Sequence, residues 1–412
     1  MTDTRFATIL KRGVAEIITE ADLLRLLNSG RILTLKQGFD PSAPDIHLGH
    51  VVGLRKLRQF QELGHKVTLI VGDWTARIGD PSGQSTTRPM LSTSEIKNNA
   101  QTYMEQFFKV VDKNKADVRW QSDWYSQFTL DEVIKLTSKF TIAQLLARED
   151  FNKRYGSGNP ISLTEMLYPL LQGYDSVVIK SDVEFGGIDQ KFNCLVGREL
   201  QQSTGQPPQQ VFLVPLLVGT DGRQKMSKSL NNHIGIAEPP QEIYGKVMSI
   251  PDALIVDYFE LVTDVSEEGI AEFKEQLQTR LVNPMKLKKR LAYEIVSQFH
   301  STKVAQEAEK YFQDRFQTRE LHSIETGVSI GIKVRAKAIH RRDMPRWLVD
   351  NKFANSISEA KRLLAQGAVQ IIRADGTRQV IRNENVQIKL GDRIKVGKLR
   401  FAEIVETDKE TA

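Results

Sequence analysis

Two histidines, His47 and His50, stand where the sequence changes from a strand pattern to a helix pattern. Residues 32–35 are mostly apolar, and apolar residues recur at helical spacing after the histidines, at Val51, Leu54, Leu57, Phe60 and Leu63. The first turn of a helix carries free backbone N–H groups and a positive dipole end, which favour an anion. Gly38 and Gly49 leave room for a ligand against the main chain. The pattern predicts a phosphate site, and two solvated loop histidines are the alternative reading of so short a motif.

A metal site is another use of two histidines three residues apart. The 412-residue chain has a single cysteine, Cys194, and no further histidine is placed to complete a ligand set. We therefore expect no metal site built by the protein. A single cysteine also excludes an internal disulfide.

A second cluster of charge follows a strand-like apolar run, residues 211–218, and a glycine-containing turn. It reads Lys225-Met226-Ser227-Lys228-Ser229. Two lysines on a polar loop are usually solvated, but His47-Leu48-Gly49-His50 followed by this loop resembles the paired motifs of class I aminoacyl-tRNA synthetases. The resemblance implies that both motifs bind ATP.

Strands and helices alternate along the first half of the chain, which favours an α/β fold with a doubly wound, Rossmann-like parallel sheet. Residues 66–72 read as a strand that leads into a polar loop, residues 73–83. Residues 1–30, 92–114 and 129–150 are predicted to be helical. In such a sheet the carboxyl ends of the strands carry the ligand contacts.

Three polar residues on one predicted helix, Tyr168, Gln172 and Asp175, recur at i, i+4 and i+7 beside an apolar stripe. By spacing alone this is an amphipathic helix with its polar side in water. The surrounding residues, together with Asp80 and the segment 183–190, resemble the amino-acid pocket of bacterial tyrosyl-tRNA synthetases. One departure is that Lys36-Gln37 stands where many members have a second tyrosine that binds the substrate hydroxyl.

The resemblance implies a role for each site residue. Asp80, Tyr168 and Gln172 would bind the ammonium group of L-tyrosine, Asp175 its phenolic hydroxyl and Gln190 its carboxylate. His47, His50, Lys225 and Lys228 would be the catalytic residues, as cations that stabilise charge in the transition state. The expected ATP-binding residues are Gly38, Asp40, His47, Gly49, His50, Asp189, Lys225, Met226, Ser227 and Lys228. Mg²⁺ would accompany ATP, held mainly by its phosphates.

The domain organisation that follows has four parts. Residues 1–235 would form the catalytic domain with a helical insertion, and residues 236–325 an α-helical domain near the tRNA anticodon. Residues 326–340 would be a linker, and residues 341–412 resemble the small α+β S4-type RNA-binding domain. The residues expected to bind tRNA(Tyr) are Lys286, Lys288, Lys289, Arg341, Arg342, Lys361 and Arg362.

Charge is unevenly distributed in this sequence, whose formal net charge is +6. From Lys333 onward 18 basic residues face 10 acidic ones, an excess of eight, which leaves −2 for residues 1–332. A basic distal part fits a polyanion-binding surface, although a solvated basic tail has the same composition. No apolar run is long enough to span a membrane and no signal peptide is evident, so we expect a cytoplasmic protein.

The resemblance implies a tyrosine-tRNA ligase and a homodimer. Such an enzyme would form tyrosyl-adenylate from tyrosine and ATP and then transfer tyrosine to the 3'-terminal adenosine of tRNA. Three alternatives remain. The first is a class I synthetase for another amino acid, with tryptophan foremost. The second is a nucleotidyltransferase acting on a small metabolite, and the third is an RNA-binding protein that has lost catalysis.

Overall fold

The computed structural model divides into two compact units after Gln317. The residues that it describes are 4–42, 45–82, 91–317, 331–335 and, except for 355, 374, 383–384, 387, 389–390 and 398–399, residues 342–405. None of the helices in these ranges is both long enough and apolar enough to span a membrane.

The first unit contains a six-stranded sheet. Its strands are β1 Glu16–Ile18, β2 Thr34–Phe39, β3 Lys66–Val71, β4 Ala116–Trp120, β5 Val183–Gly187 and β6 Gln210–Val214. They lie in the order β1-β6-β5-β2-β3-β4, and all run parallel except β1, which is antiparallel to β6. The chain passes from β2 outward to β4 and then returns to β5 on the other side of β2. The carboxyl ends of β2 and β5 therefore border the crevice where such sheets bind ligands.

Sixteen helices accompany this sheet in the described residues. They are α1 Thr4–Ala7, α2 Glu20–Asn28, α3 Leu48–Glu62, α4 Thr75–Ile78, α5 Thr93–Phe107, α6 Ser122–Tyr125, α7 Leu130–Thr137, α8 Ile142–Leu146, α9 Glu149–Gly156, α10 Leu163–Ile179, α11 Lys191–Ser203, α12 Pro240–Ser249, α13 Ile255–Val262, α14 Glu267–Gln278, α15 Pro284–Phe299 and α16 Thr302–Phe312. The local sequence determines the residue at which many of these helices begin. Ser92, Thr129, Thr141 and Ser162 each cap a helix, with a Glu or Gln three residues later completing a capping box.

The predicted doubly wound parallel sheet is confirmed, and two local predictions are wrong. Residues 1–30 are not all helical, because Glu16–Ile18 pairs with the edge of β6. Three residues are too few for an alternating pattern, so the sequence carries no strand signal there. Residues 129–150 form three short helices instead of one, since capping residues start a new helix at α7 and again at α8.

The helices α12 to α16 pack on the same hydrophobic core as the sheet. Hydrogen bonds at two places join α13 to other parts of the first unit. The Tyr258 hydroxyl donates to the carbonyl of Val218 at 2.6 Å. The Arg12 guanidinium donates to the carbonyls of Phe259 and Thr263, where α13 ends. The two bonds from Arg12 serve carbonyls at the end of α13, where a helix leaves carbonyls without partners inside the helix.

The second unit has its own core, in which Trp347, Leu348 and Phe353 are buried. Its elements are β7 Gly331–Arg335, β8 Arg342–Asp343, α17 Met344–Asp350, α18 Ile357–Ala365, β9 Val369–Ile372, β10 Arg378–Val380, β11 Asn385–Val386, β12 Arg393–Val396 and β13 Arg400–Val405. One sheet has the order β10-β9-β12-β13-β7, and β8 pairs with β11. Within the range expected to be a linker, residues 331–335 are the strand β7, and residues 326–330 and 336–340 lie outside the described residues.

Candidate active site

A cavity of about 340 Å³ lies at the carboxyl ends of β2 and β5. These neighbouring strands are the ones from which the chain continues toward opposite edges of the sheet, to β3 from β2 and to β6 from β5. This volume is within the range of small-molecule sites. The structure brings nearly all residues predicted to bind ATP or tyrosine to its walls: Gly38, Asp40, His47, Gly49, His50, Asp80, Tyr168, Gln172, Asp175, Asp189, Gln190, Lys225, Met226 and Ser227. Lys228 is the exception, and its ammonium group instead donates to the carbonyl of Asp45.

The two histidines are held by the backbone at the start of α3. His47 is the N-cap residue, and its Nδ1 accepts from the Gly49 N–H at 3.2 Å. The His47 N–H donates to Nδ1 of His50 at 3.2 Å. The ring centroids are 3.9 Å apart. A Cβ on residue 49 would lie 2.9 Å from the His47 ring, so this close arrangement requires glycine.

Both histidines are neutral in the free site. Burial lowers the pKa of His47 far below its usual value, and burial followed by the charge of Lys228 lowers the pKa of His50 to about 3. Because each Nδ1 accepts a backbone N–H, each ring carries its proton on Nε2. The two rings are therefore neutral here, and each has an Nε2–H group that can donate a hydrogen bond; their catalytic role stays a prediction.

The loop with the two lysines is fixed by Asn232, which is 2% exposed. Its Oδ1 accepts from the Ser227 N–H at 2.8 Å, and its Nδ2 donates to the Lys225 carbonyl at 3.1 Å and to Asp221 Oδ2 at 3.2 Å. Lys225 Nζ lies 2.7 Å from Asp189 Oδ2. The loop thus presents an ammonium group beside the Asp189 carboxylate, which is predicted to bind ATP.

Asp175 also lines the cavity and is 2% exposed. Gln121 Nε2 donates to its Oδ2 at 2.8 Å, and Trp124 Nε1 to its Oδ1 at 3.2 Å. Burial raises the pKa of Asp175 to about 7, against the nearby charge of Lys36, which acts to lower it. A carboxylate has about four acceptor positions, so the two oxygens retain capacity for a further donor.

Two more carboxylates, those of Asp40 and Asp80, line the cavity. Asp40 accepts from the Tyr168 hydroxyl at 2.8 Å and from Thr75 Oγ1 at 2.6 Å. Asp80 accepts from Gln190 Nε2 at 2.6 Å. A cationic group bound among Tyr168, Gln172 and Asp80 would therefore meet acceptors at defined positions.

Similarity to known proteins agrees with this arrangement. A family model described as tRNA synthetases class I (W and Y) matches residues 28–317. A tyrosine-tRNA ligase of Dehalococcoides mccartyi (strain CBDB1) is 58% identical over 403 residues, covering 96% of this chain and 98% of the relative. A tyrosine-tRNA ligase of Thermotoga maritima is 46% identical over 408 residues, covering 98% of each chain. The chain belongs to the tyrosine-tRNA ligase family.

Solved structures of the tyrosine-tRNA ligase family share the fold over about three quarters of this chain. The tyrosyl-tRNA synthetase of Archaeoglobus fulgidus, complexed with L-tyrosine, is 22% identical with a TM-score of 0.60, covering 73% of this chain and 98% of that one. A truncated mitochondrial enzyme of Aspergillus nidulans gives a TM-score of 0.63 at 22% identity, covering 76% and 95%.

The residues predicted to bind tRNA lie on both units of this ligase-family chain. On α15 Lys286 is exposed, whereas Lys288 pairs with Asp252 at 2.5 Å, which reduces its capacity to bind phosphate. Lys361 and Arg362 are exposed on α18. Lys289 is half-buried on α15, Arg342 begins β8, and Arg341 lies outside the described residues.

Sequence reasoning missed the residues that hold the predicted ones in place in this ligase-family chain. Gln121 and Trp124 follow β4 directly, and the rule that strand ends share one edge of the sheet could have identified them. Asn193 carried no such signal, because Gln172, to which it donates, lies on another helix. Asn232 lies in the same loop as Ser227, and no periodic pattern in that loop indicates which side chain bonds to the backbone.

Proposed function

We propose that this protein catalyses the two-step reaction of tyrosine-tRNA ligases. In the first step the carboxylate of L-tyrosine attacks the α-phosphate of ATP, giving tyrosyl-adenylate and pyrophosphate. In the second step the tyrosyl group passes to a ribose hydroxyl of the 3'-terminal adenosine of tRNA(Tyr). The observation that carries this proposal is that one cavity is lined both by His47, His50 and Lys225 and by the buried carboxylate of Asp175.

At the ATP end, catalysis would be electrostatic and positional. The Nε2–H groups of His47 and His50 and the ammonium group of Lys225 would donate to phosphate oxygens as negative charge builds up. Lys228 would join them once its contact with the Asp45 carbonyl is exchanged for a phosphate. Gly38, Asp40, Gly49, Asp189, Met226 and Ser227 would line the nucleotide.

Mg²⁺ would enter this site with ATP. Among the described residues no cluster of three or more His, Cys, Asp or Glu side chains could hold a metal ion. The Asp40 carboxylate already accepts from Tyr168 and Thr75. The phosphate oxygens of ATP would therefore hold most of the coordination sphere of Mg²⁺.

At the other end, the pocket would recognise tyrosine by three sets of contacts. Asp80, Tyr168 and Gln172 would bind the ammonium group, and Gln190 would help to position the carboxylate. Asp175 would accept the phenolic hydroxyl. Phenylalanine would leave a buried carboxylate without its partner, which costs about 1–3 kcal/mol or more.

Binding of tRNA would use the helical part of the first unit and the second unit. We assign residues 236–325 to the anticodon region and residues 341–412 to an S4-type RNA-binding domain, with residues 326–340 between them. Lys286, Lys289, Arg341, Arg342, Lys361 and Arg362 would contact phosphates, and Lys288 would do so if its bond to Asp252 opens. We also propose that the enzyme is cytoplasmic.

A homodimer would bury an apolar surface near α10, the helix that carries Tyr168, Gln172 and Asp175. Leu163 at the start of α10 is 80% exposed, and Leu130, Ile134 and Ile142 on α7 and α8 are 75%, 57% and 62% exposed. These three helices share a small hydrophobic core. Leu163→Asp is expected to yield monomers in sedimentation, whereas Leu281→Asp, equally exposed but between α14 and α15, retains the dimer. A single-subunit mass for the parent protein would contradict the proposal.

The two steps can be separated in one experiment. The protein is mixed with ATP, Mg²⁺, labelled tyrosine and pyrophosphatase, and the complex is isolated by gel filtration. We expect bound tyrosyl-adenylate, and transfer of the label to tRNA(Tyr) once tRNA is added. Absence of bound adenylate would contradict the first step, and failure to transfer would contradict the second.

A further inference from the structure

A lysine and a glutamate are buried together beneath the proposed ammonium site. Lys36 on β2 and Glu184 on β5 stand directly opposite each other in the sheet register. Their side chains are 0% and 1% exposed, and Lys36 Nζ lies 2.9 Å from Glu184 Oε1. Neither residue lines the cavity, so neither has a direct role in the function proposed above.

The lysine has three acceptors, one for each ammonium proton. Besides Glu184, it donates to the Gln172 carbonyl at 2.6 Å and to Ser176 Oγ at 2.7 Å. Both acceptors belong to α10, the helix that carries Tyr168, Gln172 and Asp175. The ion pair therefore joins the centre of the sheet to the helix that supplies the pocket.

The glutamate determines which way the Gln172 amide points. An ionised carboxylate can only accept, and Gln172 Nε2 donates to Glu184 Oε1 at 3.2 Å. Gln172 Oε1 is thereby directed away from Glu184 and accepts from Asn193 Nδ2 at 3.0 Å. An oxygen in this orientation is the atom that a substrate ammonium group needs.

The series of hydrogen bonds with fixed donors and acceptors continues from Gln172 to Asp80. Asn193 Nδ2 also donates to Gln190 Oε1 at 3.0 Å, and Gln190 Nε2 donates to Asp80 Oδ2 at 2.6 Å. Arg148 Nη1, which can only donate, bonds to Asn193 Oδ1 at 3.1 Å. Charged groups thus fix the orientation of all three amides, Gln172, Asn193 and Gln190, which we call the amide network.

We propose that the Lys36–Glu184 ion pair is the positioning pair of the ammonium site, orienting the amide network so that Gln172 Oε1 faces the substrate. This inference rests on the proposed function, in which Gln172 binds the ammonium group of tyrosine. The pair acts through Gln172 and does not contact the substrate itself.

The test removes both charges at once with Lys36→Met/Glu184→Gln. Replacing a buried ion pair by neutral residues of similar size is often neutral for stability, whereas removing one partner leaves an uncompensated charge. A glutamine at position 184 can donate or accept, so it no longer fixes the Gln172 amide. Thermal unfolding of the double variant is expected to stay close to that of the parent.

Two analogues of tyrosine separate positioning from general damage. Tyramine keeps the ammonium group and lacks the carboxylate, whereas 3-(4-hydroxyphenyl)propanoate lacks the ammonium group. Both keep the phenol, so a change at Asp175 affects them alike. In the double variant we expect the dissociation constant of tyramine to rise about 3- to 10-fold relative to that of the propanoate.

An unchanged ratio of the two dissociation constants would overturn the proposal, whether both rise together or neither changes. Lys56→Met is the matched control, because it removes another buried lysine, 5% exposed, that does not line the cavity. In Lys56→Met the ratio of the tyramine and propanoate dissociation constants should equal that of the parent. If the parent protein supports no tyrosine-dependent pyrophosphate exchange, the proposed function fails; if it does and the ratio is unchanged in the double variant, only the positioning role fails.

Discussion

The pH dependence of tyrosine use follows from the position of Asp175. Its carboxyl is buried, and its pKa is raised to about 7. Only the ionised form can use both oxygens as acceptors, beyond the bonds from Gln121 and Trp124, so recognition of the phenolic hydroxyl should be complete above this pKa and decline below it. For a pKa of about 7 the ionised fraction is about 90% at pH 8 and about 10% at pH 6.

The resulting magnitude is a fall of about eightfold to tenfold in kcat/KM for tyrosine between pH 8 and pH 6, since this parameter reports groups of the free enzyme. The histidines do not contribute, because His47 and His50 remain neutral throughout this range. Lys56, whose pKa burial lowers to about 7, does not line the cavity.

The assay is tyrosine-dependent ATP–pyrophosphate exchange at half-unit pH steps. Asp175→Asn is the control, since an amide at this position does not titrate. Its kcat/KM should be lower than that of the parent at pH 8 and should vary little with pH. A flat profile for the parent, or the same slope in Asp175→Asn, would refute the assignment of Asp175 to the phenolic hydroxyl.

Three further predictions concern the loop and the second unit. Lys225→Ala should slow adenylate formation about 100- to 1000-fold with tyrosine binding nearly unchanged, and equal loss of both would mean that the loop is structural. Gly219→Ala would bring a Cβ to 2.3 Å from the side chain of Asn232 and should lower kcat about 10- to 100-fold, whereas Gly245→Ala, with nothing within 4 Å, should leave kcat unchanged. Truncation after Gln317 should spare pyrophosphate exchange and reduce tRNA charging, and undiminished charging at low tRNA concentration would reject a role of the second unit in tRNA binding.

The sequence predicts those parts of the site that lie close together along the chain. The two histidines share one helix start, and Tyr168, Gln172 and Asp175 share one helix, so local spacing was enough to group them. The doubly wound sheet was predictable for the same reason, because alternation of strands and helices is a local pattern.

Contacts between residues far apart in the sequence could not be predicted from these local patterns. Lys36 and Glu184 are separated by 148 positions and meet only because β5 returns beside β2. A lysine in an apolar strand has the same local signature whether it is paired or solvated. The neutral state of the histidines was likewise invisible, since it follows from burial and from backbone bonds at the start of α3.

The most direct test of the account is pyrophosphate exchange measured without tRNA, with each of the twenty amino acids offered separately. The account predicts exchange with tyrosine alone, with phenylalanine and tryptophan at background. Exchange with another amino acid would contradict the assignment of the pocket around Asp175. Absence of exchange with every amino acid would contradict the claim that the histidines and the lysine loop activate an amino acid with ATP.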